Sequence, residues 1–169
     1  DGGYFLGPIC LTNTHSVGIA HHAATRWMIG HYPEFIDEHG WAMPVVAETF
    51  DGMLNDINGQ HLSEAHVLAA LDNARDGPVA EGNVGGGTGM ICYEFKGGTG
   101  SASRRVGDYV VAALVQANHG LRDWLTIQGV PVGLQMRNDL LKKRESGSII
   151  VILATDAPMM PHQLDRLAR

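Results

Sequence analysis

Apolar residues along this chain fall into two kinds of spacing. Val17, Ala20, Ala24, Trp27 and Met28 recur every three or four positions, the spacing of one helix face, which predicts a helix over 17–28. Val67, Leu68 and Leu71 repeat that spacing behind Ser63, a natural N-cap, so a second helix is expected through Asp72, ended by Asp76-Gly77-Pro78. A terminal helix is expected from the Pro158–Leu164 segment, where Pro161 suits a first turn. Elsewhere the apolar residues are contiguous. Tyr109–Ala117 and the run that begins at Ser148 (Ser-Ile-Ile-Val-Ile-Leu-Ala) read as strands buried on both faces. Phe5–Leu11 reads as a strand that Pro8 pushes toward an edge or bulge. Met43–Phe50 contains a short apolar run, and Met90–Phe95 reads as a single strand. Thr12–Ser16 reads as a polar turn, residues 121–147 as mostly loop, and Lys142-Lys143-Arg144-Glu145 as an exposed linker. Strands alternating with helices predict a mixed α/β layered domain.

Composition narrows the class. The chain has 169 residues, 44% of them hydrophobic and 18% charged, enough for one domain with its own core. A net charge of −6 does not favour nucleic acid or an anionic membrane as partner. No apolar run approaches the roughly 20 residues that span a bilayer. No secretory signal stands out, so a cytoplasmic location is the default expectation. The chain opens at Asp1 and ends at Arg169 within the last expected helix, so it reads as a piece of something longer.

The 22 glycines cluster, which predicts tight loops. Glu81–Gly89 is not a phosphate loop, because no Gly-Lys-Ser/Thr closes it. Nor is it a dinucleotide fingerprint, because Met90 stands where a third glycine belongs. No cofactor is expected. A second glycine-rich loop follows at Lys96–Ser101. Cys10 and Cys92 sit in apolar contexts and read as buried thiols. His15, His21, His22, His31 and His39 lack the His-x-x-x-His spacing with a flanking glutamate, so no metal site is expected.

The chemistry centres on Gly147–Ser148. A flexible polar segment meets a rigid strand there, and glycine leaves its carbonyl open to the serine hydroxyl. If that bond broke, Ser148 would carry a new α-amino group, with a reference pKa of about 7.7–8.0, beside its own hydroxyl. One residue would then hold nucleophile and base. Read as an ordinary junction, Gly-Ser before a strand is only a turn. Asn118, at the end of Tyr109–Ala117, is either a strand exit or a rigidly held oxyanion donor. Glu48, after Val45-Val46-Ala47, is either a solvated strand-end charge or an anion for a substrate ammonium.

Four segments in order carry a resemblance: Asn83–Met90, Phe95–Ser101, Val115–Gly120 and Ser148–Pro158. Together they resemble the L-aminopeptidase/D-esterase family, which includes the β-peptidyl aminopeptidases. The resemblance covers essentially all 169 residues. It implies a four-layer αββα fold like that of N-terminal nucleophile hydrolases but differently connected. It implies self-cleavage of a single domain into a first subunit ending at Gly147 and a second starting at Ser148, and a homo-oligomer, with a tetramer as the expected size. By position, Ser148 matches the nucleophile, Asn118 the oxyanion asparagine, and Glu48 the acid facing the substrate amino group. Phe50, where some relatives carry tyrosine, and Gly87 are further substrate-binding candidates. The substrates implied are short peptides or aminoacyl amides and esters. Relatives continue past the equivalent of Arg169 with a serine and a glutamate that act on the nucleophile. Two other readings stand beside this one. Ornithine acetyltransferases share the architecture but carry threonine at the position of Ser148. An inert fragment would expose a sheet edge.

Overall fold

The computed structural model describes residues 5–34, 40–141 and 144–169; His39 and the lysines of the basic run lie outside them. The chain forms two compact units, Asp1–Pro78 and Val79–Arg169. The border between Gly147 and Ser148 therefore lies inside the second unit.

In the first unit, β1 (Ile9–Asn13) and β2 (Val45–Thr49) pair in parallel, from Ile9 opposite Val45 to Asn13 opposite Thr49. Between them in sequence comes α1 (Val17–His31), three residues longer than the spacing predicts. Its buried face is Ala20, Ala23, Ala24 and Met28. Ala20 and Ala23 pack with Val67 of α2 (Glu64–Asp72), and Val46, Leu62 and Leu71 close around them. Small side chains at the contact let the two helices approach closely. Arg26 to Glu64 and the Trp27 indole to Asp72, each at 2.7 Å, tie the helix surfaces together. The ion pair is exposed and contributes at most about 1 kcal/mol, so the apolar contact holds the helices. Ser63 caps α2 as expected, with its N–H donating to His66 Nδ1 at 3.2 Å. The first strand starts later than expected. Pro8 has no N–H to give a ladder, and it precedes β1, offering its carbonyl to Val45 N at 3.1 Å. The expected polar turn splits between the strand end and a 3-10 turn at Thr14–Ser16.

The second unit is built on a three-stranded antiparallel sheet in the order β5-β6-β7. Here β5 is Gly98–Val106, β6 is Tyr109–Asn118 and β7 is Ser148–Thr155. Gly107, at φ +61°, makes the tight turn between β5 and β6. The first four residues of β5, Gly98–Ser101, were expected to be loop. Its Gly-Thr-Gly-Ser opening and its exposed Ser-Arg-Arg lack an apolar alternation, yet it pairs with β6 along its whole length. Met90–Phe95 is not one strand but a hairpin, β3 (Ile91–Cys92) and β4 (Phe95–Lys96). Tyr93 and Glu94 turn it with φ of 50° and 64°, left-handed values that strand patterning does not reveal.

β7 is not buried on both faces. Ile149 and Val151 are about half exposed, at 48% and 51%, while Ser148, Ile150 and Ile152 on the other face are partly covered. Within β6, burial rises toward the polar end, where Gln116 is 1% and Asn118 8% exposed. The stretch from 121 to 141 is mostly loop, with 3-10 turns at Arg122–Trp124 and Val132–Gln135. α3 (Pro161–Leu167) follows β7 with Pro161 in its first turn.

The chain is α/β. Neither cysteine forms a disulfide, and both are half-buried rather than fully buried; burial raises the Cys10 thiol pKa. Among the described residues, no helix is long and apolar enough to cross a membrane, and no three His, Cys, Asp or Glu side chains could share a metal ion.

Candidate active site

The β6–β7 ladder ends with Asn118 opposite Ser148. Directly opposed residues of an antiparallel pair project from the same face, with Cβ atoms about 4.5–5.5 Å apart. That face also carries Gln116 and Ile150, whereas Ile149 and Val151 lie on the exposed one. Ser148 Oγ is buried and has no hydrogen-bond partner among the described residues. Nothing described, then, takes the hydroxyl proton.

Asn118 is held rather than merely present. Its Oδ1 accepts from Ile91 N of the β3–β4 hairpin at 2.9 Å. That contact assigns the oxygen end of the amide to the hairpin and makes Nδ2 the donor end. The backbone amides of residues 87–90 compete poorly for a donor role. Gly87 N donates to Val84, Thr88 N to Gly85, Gly89 N to the Asn83 side chain and Met90 N to Gly87, so these amides are engaged in the loop itself. Asn83 braces both loops, since its Nδ2 also donates to Gly97 O at 2.9 Å. A Cβ on Gly87 would lie 2.5 Å from Thr99 N and 2.6 Å from Thr99 Oγ1. Gly87 is therefore required for packing on the start of β5, whose Gly98 is paired with Ala117 next to Asn118.

Gly147 is glycine for a reason of space. A Cβ there would meet Asn118 O at 2.3 Å, Glu145 Oε1 at 2.5 Å and His119 Cα at 2.6 Å. The segment before β7 is thus pressed onto the backbone that leaves β6. Glu145 was expected to be a solvated linker residue. Instead its carboxylate accepts from Gly120 N at 2.8 Å and from Gly147 N at 2.5 Å. The only hint in the sequence is an acid closing a basic run two residues before a glycine.

The second unit thus brings Asn118, Gly147 and Ser148 together, with Gly87 along the same sheet end. Glu48 and Phe50 belong to the first unit. Glu48 lies near the end of β2 and accepts from Thr14 Oγ1 at 2.5 Å. Asp51, just beyond, is 3% exposed; its Oδ2 accepts from the Asn13 and Asn55 side-chain amides. Phe50 is half exposed, and its ring closes against Gly52, where a Cβ would lie 2.5 Å from Phe50 Cζ. Sequence reasoning missed a knot in the second unit. Buried Arg122 donates to the Tyr93, Glu94 and Met136 carbonyls at 2.9–3.0 Å and stacks on Phe95. Glu94 in turn accepts from the Arg122 and Leu141 backbones.

The sequence pattern of peptidase family S58 matches residues 1–169. The chain belongs to peptidase family S58. Within the family's reach, it is 50% identical to beta-peptidyl aminopeptidase BapA of Sphingosinicella microcystinivorans, and the match covers the whole of this chain and 46% of that protein. BapA of Sphingosinicella xenopeptidilytica is also 50% identical, over 99% of this chain and 46% of its own length. The chain thus spans about half the length of these relatives.

Among solved structures, the L-aminopeptidase D-Ala-esterase/amidase of Ochrobactrum anthropi superposes with a TM-score of 0.86 at 60% identity, covering 94% of this chain and 45% of that one. It is described as a prototype for the serine aminopeptidases and as a new variant among the Ntn hydrolase fold. A Burkholderia beta-aminopeptidase gives 0.85 at 52% identity over 94% of this chain and 44% of its own. Over the part it spans, this S58 chain has the Ntn-type α/β fold of these structures. Matches to peptidases do not favour the acyl-transfer reading.

Proposed function

We propose that this chain is part of a self-processing serine aminopeptidase whose nucleophile is Ser148, acting on short peptides or aminoacyl amides and esters. The observation that carries the proposal is the cross-strand pairing of Asn118 with Ser148 at the end of β6 and β7. Ser148 Oγ attacks the Gly147 carbonyl carbon, the peptide C–N bond breaks, and the hydroxyl proton ends on the departing Ser148 nitrogen. Water then hydrolyses the resulting ester, leaving a Gly147 carboxylate and a free Ser148 with its hydroxyl restored. The first subunit then ends at Gly147 and the second begins at Ser148. The new α-amino group has a reference pKa of about 7.7–8.0, so near neutral pH part of it can take the hydroxyl proton. Among the described residues Ser148 Oγ has no partner in the uncut chain, which fits this order: the base is made by the cut. Attack on a substrate carbonyl gives an acyl-enzyme, and Asn118 Nδ2 donates to the oxyanion. Metal and cofactor have no part in the proposal, and a homo-oligomer is the expected assembly.

Glu48 supplies the anion for the substrate ammonium, and Phe50 and Gly87 are further substrate-binding candidates. A charged hydrogen bond of this kind contributes on the order of 1.5–3 kcal/mol, about a 10- to 100-fold preference. Comparing an aminoacyl p-nitroanilide with its N-acetylated form in the processed full-length enzyme tests it. The free amine is expected to turn over at least 10-fold faster. Equal turnover would remove the aminopeptidase reading and leave a general amidase or esterase.

A further inference from the structure

The segment ahead of Ser148 is not anchored by the sheet, because the ladder stops at Asn118 opposite Ser148. Glu145 anchors it instead. One carboxylate oxygen takes the Gly147 N–H and the other takes the Gly120 N–H, so a single side chain bridges the entry to β7 and the exit from β6. Gly120 is fixed independently of Glu145. Gly120 has φ of +94°, and a Cβ on it would lie 2.5 Å from the Tyr93 ring. The Tyr93 ring in turn packs edge-on against His119, and Tyr93 N donates to His119 O at 2.8 Å. The Glu145 clamp therefore hangs from a rigid corner.

We infer that Glu145 is a positioning residue for cleavage of the Gly147–Ser148 bond, an inference that rests on the self-processing reading above. The bond lies between two fixed points: Gly147 N, held by Glu145, and Ser148, held by the ladder with Asn118. Fixing the chain on both sides limits rotation of the Gly147 carbonyl, the group that Ser148 Oγ must reach. Attack on the immediately preceding carbonyl leaves little slack, and orientation of this kind governs the rate of intramolecular reactions. Two N–H donors need an acceptor on each arm of the side chain. A glutamine offers only one acceptor oxygen and turns an NH₂ toward the other donor. The carboxylate is therefore the group that matters, beyond the length of the side chain.

The test follows the uncut chain in cell-free synthesis of the full-length protein, measuring the rate at which the Gly147–Ser148 bond disappears. Wild type, Glu145→Ala, Glu145→Gln and Ser148→Ala are compared, each with and without added sodium formate. Glu145→Ala and Glu145→Gln are expected to cleave about 10- to 100-fold more slowly, the loss of charge-assisted hydrogen bonds. Formate, filling the space left by the shortened side chain, is expected to accelerate Glu145→Ala and not Glu145→Gln. A purely structural role for Glu145 would give no such rescue. Cleavage of Glu145→Ala at the wild-type rate, or slowing that formate leaves unchanged, would overturn the inference while Ser148→Ala stays intact. Cleavage of Ser148→Ala at this bond would instead remove the self-processing reading on which the inference stands.

Discussion

Asn118 carries two properties that an ordinary strand exit lacks. It is 8% exposed, and its oxygen is occupied by Ile91 N. A residue leaving the core would be wetter, and a turn asparagine would bond to its own loop. Asn118→Asp keeps the size and the oxygen contact but replaces the donor with a second oxygen. Turnover of the processed enzyme is expected to fall by a factor on the order of 10² or more. Turnover close to wild type, with only a lower melting temperature, would leave Asn118 as a packing residue. Ser148 and Asn118 were both legible as residues, because strand ends with polar side chains are visible in the sequence. Their pairing was not, since register depends on the ladder and not on composition. Glu145 left only the hint of an acid closing a basic run, because a carboxylate bridging two backbone amides has no pattern of its own.

At the scale of elements, long periodic or contiguous segments were readable and short irregular ones were not. α1, α2, β6 and β7 fall where their apolar positions place them. β5 escaped because glycine, serine and arginine mask a strand whose pairing partner supplies the order. The β3–β4 hairpin escaped because its turn is made by Tyr93 and Glu94 rather than by glycine or asparagine. Burial escaped as well. The Ile-Ile-Val-Ile run records what β7 is able to bury, while what lies over each face depends on other segments.

The loop from 121 to 141 has little secondary structure of its own, and Arg122 substitutes for it by donating to three carbonyls. Arg122→Met removes those donors and leaves the carbonyls without them. A loss of stability on the order of 3 kcal/mol is expected in urea unfolding, with faster proteolysis between 121 and 141. Unchanged stability and protection would mean that the loop is held by its other contacts.

For the whole molecule, the candidate residues fall in both units. The second unit carries the bond to be cut, its serine and its amide, and the first carries Glu48 and Phe50. Membership of family S58 and an Ntn-type fold, shared with structures at 60% and 52% identity, support the proposed self-cleavage. Denaturing mass spectrometry of the purified full-length protein and of its Ser148→Ala variant tests self-cleavage outright. Self-cleavage gives two pieces from the wild type, meeting at Gly147 and Ser148, and one uncut chain from Ser148→Ala. A wild type that stays whole, or a Ser148→Ala chain cut at the same bond, would contradict it.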